Sequence, residues 1–596
     1  MTLHWIDWAV IIAYLIFSLA IGFYYAKQAG KNTENYFLGG RKLSWFMAGT
    51  SMVATTFAAD TPLLVTELVV QHGISGNWLW WNAVIGGILT TFFFADLWRR
   101  ANIVTDIELI EKRYSGKEAS FLRGFKAIYM GVFLNSVVIA WVNVALAALI
   151  KVFFNVPDEQ VLWYVAGAML ITAFYSSLSG FLGVVVTDAF QFVIAMTGCI
   201  ILAIVVVNSE QIGGVSGLQA KLPSWSLDFF PQIDTVGEAA NTTAQALSIS
   251  LATFLAYIGF QWWASWYPGA EPGGGGYVVQ RMMSVKTEKD AVKATLFFQI
   301  AHYCLRPWAW IIVGLCVIVL YPELPETDKK LGYILAIKDF MPVGLRGLLL
   351  VAFLAAYMST ISTQLNWGAS YIINDFYKRF VKPQATENQF VMVSRLATFV
   401  VMIVAMIVTT QLSTMENAFK FVIECGAGLG LVLIMRWYWW RINAWSEIAA
   451  TLAPFVPFGI ITFYNQNIAY SGTQLTEQDM PQILFPHSFF MTIAFTTVVW
   501  IIVTYLTKPT KLEVLEKFYK EIQPSGFWEP IRITTNLPKP NRNTSDLFLA
   551  WFLGIALVYA ILFFIGKLIF GDWLMASLCF SIASVCAWRL NKLLQS

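Results

Sequence analysis

The chain has 596 residues and a net charge of only +3, so its overall charge indicates neither a nucleic-acid partner nor an acidic one. Hydrophobic residues make up 58% of it and charged residues 13%, well below the charged fraction of about 25% in soluble domains. Apolar runs long enough to cross a bilayer recur along the whole chain. This pattern excludes a large soluble module and predicts one polytopic membrane domain.

Fifteen membrane spans are predicted, and the first is expected to be a retained helix because Lys27 and Lys31 follow its apolar run. In chain order the spans cover 4–26, 44–72, 76–97, 121–154, 159–178, 183–207, 245–267, 292–320, 342–375, 390–412, 416–440, 446–465, 487–507, 547–569 and 572–592. Most of the 39 Lys and Arg face the cytoplasm if the N-terminus is outside. The expected location is therefore a plasma membrane, in bacteria the inner one, with the C-terminus cytoplasmic.

The parity of the spans permits two oppositely oriented blocks of five helices, spans 2–6 and spans 7–11. The predicted division of the chain follows from these blocks. It comprises an N-terminal helix and entry loop at 1–43, a first repeat at 44–207, an extracellular loop at 208–244, a second repeat at 245–440, and C-terminal accessory helices at 441–596 with a cytoplasmic linker at about 508–546.

Span 2 is rich in small and hydroxyl residues from Gly49 onward and ends this run with Asp60 and Pro62. Such a composition suits a helix that breaks within the membrane and exposes backbone carbonyls to an ion. The alternative is a continuous helix with a tightly packed small-residue interface and a proline kink.

Span 9 places four hydroxyls in five positions, at Ser359, Thr360, Ser362 and Thr363. Hydroxyl and carbonyl oxygens are neutral hard donors that suit sodium, whereas a divalent ion would require more carboxylates. Alternatively, these hydroxyls bond to their own helix. Asp188 stands at the cytoplasmic start of span 6, where it is either a functional acid or an ordinary interfacial aspartate.

An ordered set of short motifs runs through the first three quarters of the chain. It consists of Tyr36-Phe37-Leu38-Gly39-Gly40-Arg41, the small-residue run of span 2, Ser179-Gly180, Thr187-Asp188 with Gln191, Val279-Gln280-Arg281 with Ser284 and Lys286, and the hydroxyl run leading to Asn374-Asp375-Phe376-Tyr377. In this order the motifs resemble the sodium:solute symporter family over residues 1 to about 440. The resemblance implies an all-α fold with a leucine-transporter-type core of ten helices, spans 2–11, preceded by one helix and followed by four.

The resemblance also implies ion sites, and with them one sodium ion or two per cycle. The family's main sodium site uses backbone carbonyls of the first core helix and a carbonyl and two hydroxyls of the eighth. These positions fall on Ala54, Phe57, Ala356, Ser359 and Thr360. Some members have a second sodium site, whose positions fall on Asp188, Ser362 and Thr363.

The solute pocket of this fold lies between spans 2, 3, 7, 8 and 11. The candidate pocket residues are Asp60, Thr61, Trp80, Trp81, Gln261, Trp262, His302, Arg306 and Glu424. Tryptophan faces stack on sugar rings or hold quaternary ammonium groups, although many tryptophans simply mark the membrane interface. Arg306 would either clamp a carboxylate or pair with an internal acid. His302 is expected to make an ordinary hydrogen bond within the bundle.

A glycine-rich segment, 268–276, follows span 7 and contains four consecutive glycines. Such a run cannot form a regular helix. Two interpretations remain open, a flexible cytoplasmic linker that moves with a gate and a passive loop.

The predicted function is sodium-coupled symport, the import of a small polar solute by alternating access, with a sugar-like solute preferred. Its partners would be sodium, the solute and the bilayer, with no nucleic acid and no implied protein partner. One alternative is a proton-coupled carrier of an amino acid or carboxylate that uses Asp60, Glu67 or Asp188. Another is a membrane sensor. An enzyme is not expected, since neither a metal cluster nor a nucleophile motif is present and the chain has only 4 histidines.

Overall fold

The structure, a computed structural model, describes residues 3–234, 248–267, 269–412, 426–470, 480–540 and 543–595. Ten helical runs among these residues are long and apolar enough to cross a membrane. They are Trp5–Ala29, Lys117–Phe154, Asp158–Val207, Glu288–Leu320, Leu345–Val381, Glu387–Gln411, Ala444–Asn467, His487–Leu506, Thr544–Ile569 and Trp573–Gln595. The all-α polytopic fold is confirmed, while the number of fifteen spans stays a prediction.

Shorter helices complete the described part of the fold. They are Thr33–Leu38, Trp45–Thr55, Thr61–His72, Trp78–Trp81, Val84–Phe93, Ala95–Arg100, Leu109–Arg113, Gly214–Lys221, Leu251–Leu255, Trp262–Ala264, Gly276–Ser284, Gly332–Phe340, Leu429–Tyr438, Leu512–Ile522 and Glu529–Thr535. Two short parallel strand pairs lie in loops. They join Gln232–Asp234 to Ser248–Ser250, and Ala469–Tyr470 to Met480–Pro481.

Spans 5 and 6 form one helical run, Asp158–Val207, that is interrupted at Gly180. Gly180 has a φ of +55°, a conformation that residues with a Cβ rarely adopt. An added Cβ would also lie 2.9 Å from the carbonyl oxygen of Tyr36. The Ser179-Gly180 motif therefore marks a sharp turn between the two spans, packed against the entry loop.

Span 9 lies at the centre of the bundle. Its helix, Leu345–Ser370, is buried at nearly every position from Leu349 to its end. A helix that is buried on all sides belongs to the core of a bundle rather than to its lipid-facing surface. The predicted hydroxyl run consequently lies inside the protein and not at the lipid interface.

Spans 2 and 7 are both discontinuous, and span 7 corrects the sequence analysis. Span 2 breaks between Trp45–Thr55 and Thr61–His72, as predicted. Span 7 leaves helical geometry after Trp262–Ala264 and resumes as Gly276–Ser284, and residues 271–276 between them are buried. Residues 271–276 of the glycine-rich segment are therefore buried backbone and not an exposed flexible linker. The glycines of this segment let the backbone pass close to neighbouring helices, where a side chain would collide.

Segments predicted on the same side of the membrane lie together. The guanidinium of Arg100, after span 3, donates to the carbonyl of Ile522 in the linker between spans 13 and 14, at 2.7 Å. The Asp7 carboxylate near the N-terminus accepts from the backbone N–H of Gly344, the residue directly before the helix Leu345–Ser370, at 2.8 Å. Both contacts agree with the predicted alternation of the loops.

Candidate functional site

The break in span 2 is a local interruption of the helix over residues 56–60. The hydroxyl of Thr56 donates to the carbonyls of Met52 and Val53, which satisfies oxygens at the end of the first helix. The second helix begins at Thr61 with Pro62 in its first turn, where a missing N–H removes no helical bond. The broken-helix prediction is confirmed, and the continuous kinked helix is excluded.

Span 9 places its hydroxyls against this break. The Thr360 hydroxyl donates to the carbonyl oxygen of Thr55 at 2.9 Å and to that of Ala356 in its own helix at 3.3 Å. Thr55 directly follows Ala54 and lies two residues before Phe57 in the chain. The five residues implied for the main sodium site are at most 4% exposed. The spans that supply them are joined by a direct side-chain to backbone contact.

Asp188 lies beside the same hydroxyl run. It is fully buried, so the alternative of an interfacial aspartate is wrong. Its carboxylate accepts from the hydroxyl of Ser359 at 2.7 Å and from that of Ser51 in span 2 at 2.5 Å. Because span 6 begins at the Gly180 turn, Asp188 stands about two helical turns inside the bundle.

The guanidinium of Arg281 occupies the space among the residues implied for the second sodium site. Its Nη2 lies 3.3 Å from an Asp188 oxygen and donates to the Thr363 hydroxyl at 2.7 Å. Its Nε donates to Ser51 Oγ at 3.0 Å. The hydroxyl of Ser362 instead donates to a carbonyl of its own helix at 3.1 Å. Asp188 and Thr363 thus share a cation, and in this conformation that cation is an arginine.

Arg306 and His302 of span 8 bind the end of the first helix of span 2. Arg306 Nη1 donates to the Val53 carbonyl and to the Thr56 hydroxyl, each at 3.2 Å, while His302 Nδ1 lies 2.9 Å from that hydroxyl. Within the described ranges Arg306 has no carboxylate at ion-pair distance, so its predicted pairing with an internal acid is not seen there. A cation at a helix C-terminus stabilises the helix dipole and its free carbonyls.

The three candidate tryptophans have different surroundings. Trp80 stacks on Tyr303, with ring centroids 5.6 Å apart, and meets His302 edge-on at 5.8 Å. Trp81 is fully buried and contacts an aromatic ring of span 14, and Trp262 also packs against that span. Trp80 therefore stands beside the polar groups of span 8, whereas the other two pack against an accessory helix.

The remaining pocket candidates also differ in their hydrogen bonds. Asp60 and Gln261 each have a buried side-chain oxygen with no hydrogen-bond partner in the described part of the chain. The Thr61 hydroxyl accepts from the backbone N–H of Ala58 at 3.3 Å, which helps to shape the break. Glu424 lies outside the described residues.

A small cavity between spans 3, 7 and 8 contains none of the predicted pocket residues. Its walls include Gly86 and Gly87 of span 3, Glu271 and Gly274 of the span 7 break, and Gln299 of span 8. Glu271 and Gln299 are each 3% exposed and each has a side-chain oxygen without a partner among the described residues. Sequence reasoning missed both, because Glu271 lay in the predicted loop and Gln299 in an ordinary helix.

One signal in the sequence pointed towards this cavity. Span 7 is the first helix of the second predicted repeat, as span 2 is of the first. A break predicted in span 2 therefore implies a break at the matching place in span 7. The four glycines 273–276, which follow Glu271 and Pro272, are the means of such a break, and they would have placed this acid inside the membrane.

Comparisons with known proteins agree with this architecture. A sodium/glucose cotransporter of Vibrio parahaemolyticus is 24% identical over 481 residues, 77% of this chain and 85% of the relative. A sodium/proline symporter of Staphylococcus aureus strain Newman is 27% identical over 452 residues, 73% of this chain and 82% of that one. The solved structure of a sodium-coupled sialic acid symporter superimposes with a TM-score of 0.64 at 20% identity, covering 85% of this chain and 98% of that chain.

The relatives are transporters rather than enzymes, which confirms the sequence expectation that the chain is not an enzyme. The superposition supports the leucine-transporter-type core that the sequence predicted. The model of one protein family, the sodium:solute symporter family, matches residues 36–453, which is most of the chain. The protein belongs to the sodium:solute symporter family.

Proposed function

We propose that this protein imports a small polar organic solute by sodium-coupled symport, with the ion held where spans 2 and 9 meet. The observation that carries the proposal is the hydrogen bond from Thr360 to the carbonyl of Thr55, which places a hydroxyl of span 9 on the break of span 2. The donor set implied for sodium, from Ala54, Phe57, Ala356, Ser359 and Thr360, consists of neutral carbonyl and hydroxyl oxygens. Such oxygens suit a monovalent ion.

Coupling follows from the position of this site between two helices. An ion shifts a conformational equilibrium only if it binds one state more tightly than the other. Sodium would bridge the broken helix and span 9 when they are close, as they are here, and would lose part of its coordination when they separate. Its entry is also favoured by the membrane potential, by about 2.3 kcal/mol per charge per 100 mV.

A second sodium ion would compete with Arg281 for Asp188 and Thr363. The guanidinium already contacts both residues, and like charges in one buried site repel strongly. In the proposed cycle, Arg281 therefore holds Asp188 when the second site is empty and must withdraw before an ion bridges Asp188 and Thr363. The stoichiometry of one sodium or two then depends on whether the buried helix Gly276–Ser284 moves.

For the solute we propose a sugar or a related hydroxyl-bearing compound. A sugar ring would lie against Trp80, which stands edge-on to His302 next to the break of span 2. The relatives named for glucose and proline show that the family handles solutes of different classes, so the class rests on this chain's own residues. The proposed location is the plasma membrane, with the N-terminus outside and the C-terminus in the cytoplasm.

Uptake into proteoliposomes tests the proposal. Labelled glucose, proline, sialic acid and betaine would each be offered with an inward sodium gradient, with potassium in its place, and with a pH gradient alone. The test variant is Ser359→Ala/Thr360→Ala. The matched control is Thr172→Ala/Ser394→Ala, two buried hydroxyls that bond to carbonyls of their own helices at 2.8 and 2.7 Å.

We expect uptake that requires sodium and is lost in the test variant but kept in the control. Uptake driven by the pH gradient and indifferent to sodium would contradict sodium coupling and favour the proton-coupled alternative. Equal loss in both double variants would contradict the assignment of the ion to span 9.

A further inference from the structure

The cavity between spans 3, 7 and 8 has the composition of a recognition site for hydrogen-bond donors. Glu271 Oε2 accepts from the backbone N–H of Gly269 at 3.1 Å, whereas its Oε1 has no partner among the described residues. The Gln299 side-chain oxygen on the opposite wall is likewise buried and without a partner there. A buried acceptor left without a donor costs free energy, so a ligand that donates a hydrogen bond to either oxygen would recover that cost.

The walls leave little free space between them in the present conformation. Gly86 and Gly87 present helix backbone to the cavity from span 3, and Gly274 presents backbone from span 7. A Cβ added to Gly87 would lie 2.1 Å from the Gln299 oxygen, so Gly87→Ala would displace the Gln299 side chain. In the present conformation the cavity holds about one water molecule, and a larger ligand requires the broken helix to move.

The hydrogen-bonding groups of the site select the ligand's chemistry. The described residues that line it include an acid and an amide but no Lys or Arg. A second acid nearby, Asp106, accepts from the backbone N–H of Gly276 at 3.0 Å. A hydroxyl or ammonium group on the ligand would supply the donor that the two oxygens lack, whereas a carboxylate or phosphate group would bring only further acceptors.

We propose that Glu271, together with Gln299, recognises the transported solute through a hydroxyl or ammonium donor of that solute. This inference rests on the proposed symport and deepens it by naming the recognising group. It also explains why the span 7 break is built from glycine. The carboxylate lies in the break itself, so a movement of the helix Gly276–Ser284 would open the cavity to the solute.

The test compares wild type, Glu271→Gln and Gly87→Ala with the control Asp7→Asn. Glu271→Gln keeps the shape of the side chain but replaces one carboxyl oxygen with an amide NH2, and Gly87→Ala keeps the Glu271 carboxyl group and displaces the Gln299 side chain. Asp7 is also a buried acid, but one oxygen accepts backbone N–H groups of Gly344 and Gly347 and the other that of His4. The probes are glucose and myo-inositol as hydroxyl donors, ethanolamine as an ammonium donor and pyruvate as a carboxylate without donors. Uptake and the sodium-dependent rise in Tm are both measured.

For whichever donor probe wild type transports, we expect KM to rise about tenfold or more in Glu271→Gln and in Gly87→Ala and to stay unchanged in Asp7→Asn. The sodium-dependent rise in Tm should persist in all four proteins, because the ion site lies on spans 2 and 9. An unchanged KM in both test variants, or transport of pyruvate alone, would overturn the inference and leave symport standing. If sodium does not raise the Tm of the wild-type protein, the proposed function is overturned instead.

Discussion

Spans 2 and 7 are both interrupted, but by different means. In span 2 the break is bounded by hydroxyl residues and proline, and side chains from other spans bind its exposed backbone, as Thr360 and Arg306 do. In span 7 the backbone itself makes the break. Its glycines carry no side chain, and Trp98 Nε1 donates to the Gly273 carbonyl at 2.8 Å. The first break depends on polar partners, and the second depends on close packing of bare backbone.

This difference has consequences for substitution. Removing a polar partner from span 2 leaves another buried polar group unsatisfied, but the space remains the same. Adding one carbon at Gly274 of the span 7 break creates overlap with Trp98 that the packed bundle cannot easily absorb. We therefore expect the glycine break to be the less tolerant of the two, and three substitutions test that order.

Gly274→Ala should have the largest effect. Gly274 has a φ of +83°, which costs a residue with a Cβ about 1–2 kcal/mol. The new Cβ would also lie 2.8 Å from the Trp98 indole nitrogen, which is fixed by its own hydrogen bond. We expect a large loss of monodisperse protein in detergent and a Tm lower by several degrees. The matched control is Gly167→Ala, where no described atom beyond the adjoining turns of its own helix lies within 4 Å of the new Cβ. Equal behaviour of the two variants would refute the packing argument.

Thr56→Val should have a smaller effect, at the polar break. It preserves shape but removes the hydroxyl that contacts Arg306 and His302 at 3.2 and 2.9 Å. Losing one partner of a buried charged group costs about 1–3 kcal/mol in water-soluble proteins, and hydrogen bonds inside membranes average about 0.6 kcal/mol. We expect a loss of about 1 kcal/mol in the free energy of unfolding.

The control for Thr56→Val is Thr172→Val, whose hydroxyl bonds to its own helix at 2.8 Å. Thermal unfolding in the same detergent compares the two. A Thr56→Val protein as stable as its control would mean that Arg306 holds the break through the Val53 carbonyl alone.

The same difference explains what could be predicted from the sequence. Polar residues in a membrane span are conspicuous, so the sequence indicates the break of span 2, the hydroxyls of span 9 and Asp188. The recurring apolar runs indicate the all-α membrane class. Arg281 was visible as a motif residue, but its approach to Asp188 depends on how the second half of span 7 packs. Glycine is ambiguous, because a run of four fits a mobile loop as well as a buried crossing. The glycines next to Glu271 therefore led to its placement in a loop rather than in a buried site.

A charged cluster around Glu111 contacts neither break, and a substitution there is expected to change stability only slightly. Glu111 accepts from Arg379 Nε at 2.9 Å, from Arg123 Nη1 at 2.8 Å and from Ser120 Oγ at 2.6 Å. Burial opposes ionisation of this carboxyl, but its hydrogen bonds with Arg379, Ser120 and Arg123 together lower its pKa to about 2. Its side chain is 19% exposed and that of Arg379 is 45% exposed, so solvent screens the pair.

Glu111→Gln should lower the free energy of unfolding at pH 7 by at most about 1 kcal/mol. Because the pKa of Glu111 is lower in the folded state, its stabilisation is fully present above the ordinary value of 4.5 and is lost as the pH falls towards 2. Thermal unfolding of both proteins from pH 8 to pH 3 should show a constant difference in Tm above about pH 5 and a shrinking one below it. A difference that grows on acidification would mean that the Glu111 carboxyl is bound in its protonated form. A loss as large as that of Gly274→Ala would mean that this end of the bundle, and not the glycine break, is the least tolerant part of the molecule.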